Sequence, residues 1–319
     1  MNNNPSLPSV VFFGTPEFAR FCLASLVDFG FPILAAVTAP DRKAGRGKKI
    51  TSSAVKDFAL AKEIPILQPT NLKESNFLND LQALNADIFA VVAFRMLPKA
   101  VWNLPPQGTI NLHASLLPDY KGAAPINWVI INGETETGVT TFLINEAIDS
   151  GALLMSKNVP ITDQDNFGSL HDKLLSEGAP LLCETLFRLA EKSLNPQDQI
   201  EQINAKSAPK LNSENCQIQW DSDLKQIVNQ IRGLNPYPGA WTSLRNNGDV
   251  HRIKIYVAEA VHEKHELSLG KVLVRNSKLM IATQEGFINC IEIQLPNKKR
   301  MNVSDLLNGY SVGADAHID

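Results

Sequence analysis

Apolar residues in the first half of the chain follow two alternating patterns. Short runs that are largely apolar, of which Ala86–Phe94 is the most apolar, predict strands buried on both faces of a sheet. Between these runs, apolar residues recur three or four positions apart, as on one side of a helix. Because strands separated by helices are joined by crossovers, this half predicts an α/β domain of nucleotide-binding type with a mainly parallel sheet.

The last third of the chain follows a different pattern. A long amphipathic helix is predicted over Phe167–Glu191, and the polar stretch 192–209 then predicts a linker. Residues 210–319 contain a predicted helix at Asp223–Arg232 and several short strands separated by turn signals, which predict a small barrel. We therefore expect one domain at 1–191, a linker, and a second domain from 210 onward.

The segment Gly108–Pro125 holds the strongest candidate chemistry. It begins as a predicted strand and ends in a loop, and Asn111 and His113 lie two residues apart in the strand. Side chains two apart project to the same face, and ligands of open α/β sheets bind at the carboxyl ends of strands. An amide and an imidazole there suit a developing oxyanion and a moving proton. A lone Asn-x-His is common by chance, so this motif needs support from other segments.

Asp149 is the third candidate residue. It follows the predicted strand Gly138–Ile144, so its carboxylate can lie at the same edge of the sheet. An Asp beside a His can fix the tautomer of the imidazole and favour its protonated form. Taken alone, the Asp-Ser-Gly sequence favours an ordinary turn.

The loop Ala39–Ile50 is crowded with basic residues around two glycines. They are Arg42, Lys43, Arg46, Lys48 and Lys49. Such a loop is usually a solvated surface. Because it follows the second predicted strand at the carboxyl edge of the sheet, it can also fold onto a phosphate-rich substrate. The residues alone leave both interpretations open.

Composition narrows the class of protein only slightly. The 319 residues are 44% hydrophobic, and the net charge of −3 neither indicates nor excludes a nucleic-acid partner. We find no apolar run that would span a bilayer and no signal-peptide pattern at the start. The four cysteines are scattered, and no His, Cys and carboxylate residues cluster. We therefore expect a cytoplasmic monomer with reduced thiols, no metal and no membrane partner.

A nicotinamide cofactor is only a weak alternative. The turn Gly14-Thr15-Pro16-Glu17 has one glycine where a dinucleotide fingerprint has three. Gly47-Lys48 is not followed by the Ser or Thr of a phosphate loop. An NAD-type dehydrogenase is therefore disfavoured.

Six segments together carry a family resemblance. They are GTPEF at 14–18, APDRKAGRGKK at 39–49, NLHASLLPDYKGAAPIN at 111–127, INGETETGVT at 131–140, AIDSGALL at 147–154 and LNPYPGAW at 234–241. In this order they resemble the methionyl-tRNA formyltransferases, and SLLP followed by GAAPI is far more specific than Asn-x-His. The resemblance implies a Rossmann-like formyltransferase domain followed by a smaller OB-like β-barrel. It also implies 10-formyltetrahydrofolate as donor and initiator Met-tRNA as acceptor.

The resemblance also implies roles for individual residues. The family's catalytic residues fall on Asn111, His113 and Asp149. Its folate-binding residues fall on Ser115, Leu116, Leu117 and Pro118, and on Phe94, Arg95, Met96 and Leu97, which border the pterin. The loop that meets the tRNA falls on Arg42, Lys43, Arg46, Lys48 and Lys49.

The chain departs from the family pattern at several positions. Lys43 stands in place of a frequent Pro, and Asp119 and Lys121 stand where many relatives have Arg. Ala152 stands in place of an acidic residue. The changes at 119 and 121 weaken any inference about charge near the acceptor stem. The change at 152 concerns a supporting contact beside Asp149.

In the implied reaction the methionyl amine attacks the formyl carbon. His113 and Asn111 then donate hydrogen bonds to the negative oxygen, while Asp149 holds His113. Basic residues of the barrel, namely Arg252, Lys254, Lys298, Lys299 and Arg300, either face the tRNA or are simply solvated. Two alternatives stay open. The first is a formyltransferase acting on another amine, which would share the three catalytic residues, and the second is an RNA-binding protein without catalysis.

Overall fold

The chain divides into two compact units. The computed structural model describes residues 7–44, 49–200 and 203–318. An N-terminal unit consists of 1–122, 137–159 and 172–206, and a C-terminal unit consists of 123–136, 160–171 and 207–319. Two short segments from the middle of the sequence therefore belong to the C-terminal unit. The functional boundaries predicted at 191 and 209 stay a prediction.

Strands and helices alternate along the N-terminal unit, and strands dominate the C-terminal unit. The strands are β1 (Val10–Gly14), β2 (Ile33–Val37), β3 (Arg42–Ala44), β4 (Lys49–Thr51), β5 (Ile66–Leu67), β6 (Ile88–Val92), β7 (Thr109–His113), β8 (Lys121–Gly122), β9 (Glu136–Leu143), β10 (Leu153–Pro160), β11 (Ser207–Ala208), β12 (Ala240–Asn246), β13 (Asp249–His262), β14 (Val272–Arg275), β15 (Lys278–Ala282), β16 (Gly286–Gln294), β17 (Met301–Asn302) and β18 (His317–Ile318). The helices are α1 (Glu17–Phe29), α2 (Ala54–Ala61), α3 (Ser75–Ala83), α4 (Lys99–Trp102), α5 (Pro125–Ile131), α6 (Phe167–Ala190), α7 (Leu224–Gly233) and α8 (Val303–Leu307).

The main sheet of the N-terminal unit has the strand order β10-β9-β7-β6-β1-β2-β5. The five strands from β7 to β5 are parallel, and β9 runs antiparallel to β7. The predicted Rossmann-like fold with a mainly parallel sheet is therefore confirmed. Chain order reverses at β1, which has β2 on one side and β6 on the other. Sheets of this type bind ligands beside such a reversal, at the carboxyl ends of the strands.

Burial on both faces explains the apolar runs of the central strands. Every residue of β1 and of β6 is buried. Alternate residues of these strands, such as Phe13 and Phe89, share one apolar cluster with Phe77 and Leu81 of α3. The Phe13 and Phe89 rings lie 5.2 Å apart. Each such side chain contributes about 1.5–3 kcal/mol when it leaves water, so these strands form a rigid base for the loops at their ends.

The C-terminal unit is built around an antiparallel sheet of order β14-β15-β16-β13-β12-β18, with β17 on β16. A bridge between Lys271 and His317 links the start of β14 to β18, so the sheet nearly closes on itself. Helix α7 packs on it through Ile227 and Ile231, which are buried in one core with Ile255. The predicted smaller barrel is confirmed. No helix in the described part of the chain is long and apolar enough to cross a membrane.

Helix α7 begins at a side-chain cap that can be tested. The Asp223 carboxylate accepts a hydrogen bond from the Gln226 backbone N–H at 2.6 Å. Loss of such a cap costs about 1 kcal/mol, so Asp223→Ala should lower the free energy of unfolding by about that amount in urea titration. Asp221→Ala is the matched control, since the exposed Asp221 makes no side-chain hydrogen bond with a described residue. An equal loss in both variants would contradict the capping role.

Candidate active site

Strand β7 presents Asn111 and His113 on one face at its carboxyl end. Asn111 lies beside Val91 of β6 and Phe142 of β9, so it is held in the middle of the sheet. Its side chain is half-buried and makes no hydrogen bond with a described residue. The amide is thus positioned by its strand and remains available to a ligand. His113 is buried, with 7% of its surface exposed.

The His113 ring contacts a different partner at each nitrogen. Nε2 lies 2.9 Å from the Tyr120 carbonyl oxygen. Since a carbonyl only accepts, Nε2 carries a proton and donates it. Nδ1 lies 3.8 Å from Oδ2 of Asp149, and both side chains are largely buried. The tautomer is therefore set by the Tyr120 carbonyl, a partner that sequence reasoning had not identified.

The spacing between Nδ1 and Asp149 decides what that nitrogen can do. A separation of 3.8 Å is too long for a hydrogen bond, so the carboxylate does not occupy the Nδ1 proton. The carboxylate is still close enough to balance the positive charge of the ring whenever the ring carries a second proton. Nδ1 can therefore hold a proton that is free to be donated to a bound oxygen.

The loop that carries Asp149 is tightly constrained. Asp149 has a φ of +50°, and its Oδ2 accepts the Gly122 backbone N–H at 3.0 Å. A Cβ added to Gly151 would lie 1.5 Å from the Leu143 carbonyl oxygen, so only glycine fits at that position. The Gln199 side-chain nitrogen donates to the carbonyl oxygens of Asp149 at 2.9 Å and of Gly151 at 2.8 Å. The carboxylate is thus fixed from three directions.

The segment Ser115–Pro118 forms the rim of the site through internal hydrogen bonds. The buried Ser115 hydroxyl donates to the Asp119 carbonyl at 2.7 Å, and the Ser115 carbonyl accepts from the Thr140 hydroxyl at 2.7 Å. Leu117 is buried, whereas Leu116 and Pro118 are half-buried. Leu116 packs against Gly138 of β9, where a Cβ would lie 2.5 Å from the Leu116 side chain.

The segment Phe94–Leu97 follows β6, the strand next to β7. The half-buried Phe94 packs edge-on against Phe13, with 5.8 Å between ring centroids. The Arg95 guanidinium lies over the Phe94 ring at 5.6 Å and donates to the Thr70 carbonyl at 2.9 Å and to the Pro69 carbonyl. Burial lowers the pKa of Arg95. Leu97 is buried, while Met96 is 73% exposed and offers apolar surface to a ligand.

The basic loop begins at the carboxyl end of β2. Its described parts, β3 and β4, pair as a small antiparallel ladder in which Arg42 faces Thr51 and Lys43 faces Ile50. Arg46 and Lys48 lie outside the described residues, as do the side chains of Lys43 and Lys49. Just before β3, Asp41 accepts hydrogen bonds from Lys56 at 2.6 Å and from Gln68, and these lower its pKa. Because β1 and β6 separate β2 from β7, the end of β2 from which this loop starts lies about 14 Å from β7 at the usual strand spacing.

The residues that depart from the family pattern make contacts between loops. The Asp119 carboxylate accepts the Lys206 backbone N–H at 2.9 Å. The Lys121 ammonium donates to the Ser150 hydroxyl at 2.9 Å. Ala152 contributes its carbonyl, which accepts the Leu143 backbone N–H at 2.9 Å. These substitutions therefore take part in the packing of the site.

Sequence reasoning missed the residues that hold the site together. The Tyr120 carbonyl and the Gly122 N–H are backbone groups, which a side-chain pattern does not reveal. Gln199 lies in the stretch predicted as a linker, and nothing in its sequence context indicates a site. Among the described residues, no group of three or more His, Cys, Asp or Glu side chains is arranged to hold a metal ion.

Comparison with known proteins decides the family. Residues 9–186 match the formyl transferase family, and residues 210–311 match the formyl transferase C-terminal domain. The chain is 47% identical to the methionyl-tRNA formyltransferase of Flavobacterium johnsoniae, over 97% of this chain and 98% of that relative. The chain belongs to the methionyl-tRNA formyltransferase family. A second member, from Bacteroides thetaiotaomicron, is 44% identical over 94% of this chain and 95% of that relative.

Two solved structures share the fold of this chain. One is the N-formyltransferase from Helicobacter canadensis in complex with folinic acid and dTDP-3-aminofucose. It has a TM-score of 0.65 and 22% identity, over 88% of this chain and 98% of that one. Another is HypX from Aquifex aeolicus in complex with tetrahydrofolic acid, with a TM-score of 0.60 and 17% identity, over 94% of this chain and 47% of that one. The resemblance to the family predicted from the sequence is thus confirmed.

Gly151 offers a test of the constraint on the Asp149 loop. Gly151→Ala should displace the loop, because the added methyl group would overlap the Leu143 carbonyl. Overpacking of this kind costs about 1–3 kcal/mol, and a carboxylate displaced by about 1 Å should reduce turnover roughly a hundredfold. Thermal melting and steady-state kinetics measure the two effects. Gly309→Ala is the control, since no atom lies within 4 Å of a Cβ built there. Normal turnover of Gly151→Ala would show that the loop has room.

Proposed function

We propose that this chain transfers the formyl group of 10-formyltetrahydrofolate to the α-amino group of the methionyl residue of initiator tRNA, at the carboxyl end of β7. Membership of the family supports the reaction, and one observation supports the place in the structure where it occurs. Asn111 and His113 share one face of β7, and Asp149 lies 3.8 Å from the His113 ring. Together they supply hydrogen-bond donors for a negative oxygen and a group that takes up a proton.

Nδ1 of His113 is the nitrogen that acts on the substrates. Nε2 already donates to the Tyr120 carbonyl, so a second acceptor there would compete for the same proton. The Asp149 carboxylate lies 3.8 Å from Nδ1 and does not accept a hydrogen bond from it, so Nδ1 is the nitrogen left for the substrates. When the amine attacks the formyl carbon, Nδ1–H donates to the oxygen that becomes negative. The Asn111 amide is the second donor, and loss of one such donor typically costs about a hundredfold or more in turnover.

Asp149 also handles the proton of the attacking amine. The amine must lose a proton as its bond to the formyl carbon forms, and Asp149 draws that proton away through a water molecule. The folate nitrogen gains a proton as it leaves. His113 and Asp149 thus act as a pair, with the imidazolium stabilising negative charge and the carboxylate balancing it.

The folate co-substrate binds between the loops that follow β6 and β7. Phe94 and Met96 give apolar surface to the pterin, and Arg95 holds their segment against Pro69 and Thr70. Leu116 and Pro118 form the opposite rim, while the buried Ser115 and Leu117 set its shape. Leu97 anchors the first loop in the core.

The tRNA binds through two basic surfaces. The first is the loop of Arg42, Lys43, Arg46, Lys48 and Lys49, which extends from the same edge of the sheet. The second lies on the C-terminal unit, where Arg252 and Lys254 line a pocket of about 210 Å³ with Trp241 and Ser213. Arg300, also predicted for this surface, is paired with Glu292 and is therefore neutralised. We assign catalysis to 1–191 and tRNA binding to 210–319, in a cytoplasmic monomer without a membrane partner.

Substitution of His113 and Asp149 tests the chemistry. His113→Ala and Asp149→Ala should each reduce kcat by roughly a hundredfold or more, because each removes part of the charge stabilisation at the oxyanion. The thermal melting curve should show both proteins folded. His251→Ala, at a histidine whose side chain makes no hydrogen bond or ion pair with a described residue, is the control and should retain activity. Near-normal turnover in both variants would exclude this mechanism.

Substitution of Arg252 tests the second tRNA surface. The Arg252 guanidinium stacks on Trp241 at 3.7 Å, donates to the Ser213 hydroxyl at 3.1 Å and has no acidic partner among the described residues. Arg252→Ala should weaken tRNA binding and reduce the slope of log Kd against log salt by about 1. Arg275→Ala is the control, since Arg275 is already paired with Glu263. Filter binding of initiator tRNA at several salt concentrations measures both, and identical curves for all three proteins would rule out this surface.

One incubation tests the function as a whole. The purified protein, 10-formyltetrahydrofolate and charged initiator tRNA should give formylmethionyl-tRNA. Parallel incubations offer an amino-sugar nucleotide and a purine-precursor amine as acceptors, and we expect no formyl product from either. Binding of tRNA without formyl product would favour a non-catalytic RNA-binding protein instead.

A further inference from the structure

Both partners of the His113 ring are held by the same stretch of chain. Tyr120, whose carbonyl accepts from Nε2, donates its backbone N–H to the Lys206 carbonyl at 2.6 Å. Asp149, which lies beside Nδ1, has its carbonyl bound by the Gln199 amide at 2.9 Å. Gln199 and Lys206 both belong to the polar stretch between α6 and β11. This stretch therefore fixes the two loops that position the imidazole.

The contact of Gln199 with the Asp149 loop is specific. Its Nε2 donates to two carbonyls, those of Asp149 and Gly151, which flank Ser150. Its Oε1 is buried and has no hydrogen-bond partner among the described residues. Turning the amide over would place oxygen against both carbonyls, so the nitrogen must face the loop. The Gln199 side-chain nitrogen thus binds two carbonyls, while its oxygen stays buried without a donor. Because an unpaired buried oxygen is costly, this arrangement indicates that the position of the Asp149 loop is constrained.

The backbone next to Gln199 keeps the amide in register with the loop. Gln197 pairs with Leu153 through two backbone hydrogen bonds, of 2.7 and 2.9 Å. Leu153 begins β10, four residues after Asp149. The short bridge thus anchors the segment to the sheet, and Gln199 reaches back from it to the loop. Ala152 has no polar side chain that could hold the loop in this way.

We propose that Gln199 is a positioning residue for the formyl transfer, which acts by holding the Asp149 carboxylate beside Nδ1 of His113. The inference rests on the proposed function of the His113 and Asp149 pair. Lys206 is the second anchor, because its backbone binds both the Tyr120 N–H and the Asp119 carboxylate. Gln199 touches no reacting atom in this arrangement. Its effect on the reaction passes through the separation between the carboxylate and the imidazole.

Replacement of the Gln199 amide should affect turnover more than substrate binding. In Gln199→Leu the two carbonyls lose their donor and the carboxylate can move away from the ring. We expect kcat to fall roughly tenfold to a hundredfold, as for a small misplacement of a catalytic group. KM for both substrates should stay within about twofold, since the pterin and tRNA surfaces are untouched. A loss confined to kcat would separate a positioning effect from a loss of substrate binding.

Two further variants separate positioning from general stability. Gln199→Glu keeps the shape of the side chain but replaces the donor by an oxygen that both carbonyls repel, so kcat should fall at least as far as in Gln199→Leu. Gln197→Leu is the matched control, since the exposed Gln197 side chain makes no hydrogen bond with a described residue and its backbone pairing is retained. Gln197→Leu should leave kcat and KM unchanged.

The second anchor provides an independent measurement if Gln199 variants fail to fold. Asp119→Ala removes the acceptor of the Lys206 N–H and should lower kcat, whereas Asp119→Asn keeps an acceptor oxygen and should restore it. Unchanged kcat in Gln199→Leu would overturn the inference while wild-type activity upheld the proposed function. Equal losses in Gln199→Leu and Gln197→Leu would also overturn it. Absence of formyl product from the wild-type protein would instead refute the proposed function.

Discussion

The site depends on two contacts of the His113 ring, one at each of its nitrogens. One ring nitrogen donates to the Tyr120 carbonyl at 2.9 Å, and the other lies 3.8 Å from the Asp149 carboxylate. The first contact orients the ring and sets its tautomer, and the second places a negative charge beside the other nitrogen. Because the second contact is longer than a hydrogen bond, that nitrogen has no hydrogen-bond partner at Asp149. Neither contact alone would give an oriented ring beside a balancing charge.

The sheet and its loops explain how segments far apart in the sequence can contact the same ring. Strand β9 runs antiparallel to β7 and ends beside Ile110, so the loop that follows β9 has to reach back towards His113 at the carboxyl end of β7, where Asp149 lies 3.8 Å from the ring. The Gly122 N–H bonds directly to the Asp149 carboxylate, which joins the two loops. Close packing of Gly151 on the Leu143 carbonyl keeps the second loop near the sheet. Loops are usually flexible, but the rigid strands and the short contacts together hold these two loops in place.

Some basic side chains of the C-terminal unit form ion pairs with acidic side chains, and others do not. Arg275 and Arg300 form ion pairs with Glu263 and Glu292, which removes them as free cations. Arg252 has an aromatic neighbour and no acidic one among the described residues. A count of basic residues therefore overstates the surface available to phosphate groups. The pairing shows which cations are available for tRNA, and Arg252 is the strongest candidate.

The sequence by itself determined the parallel sheet, the barrel and the family. Burial on both faces requires nearly continuous apolar runs such as Ala86–Phe94, and these are visible without coordinates. It also indicated Asn111 and His113 as neighbours, since alternation along a strand places them on one face. Only the tertiary structure revealed the Tyr120 carbonyl, the Gly122 N–H and the Gln199 amide as their supports. Backbone groups carry no sequence signal, and contacts of long sequence separation depend on how the strands are ordered, which no local pattern encodes.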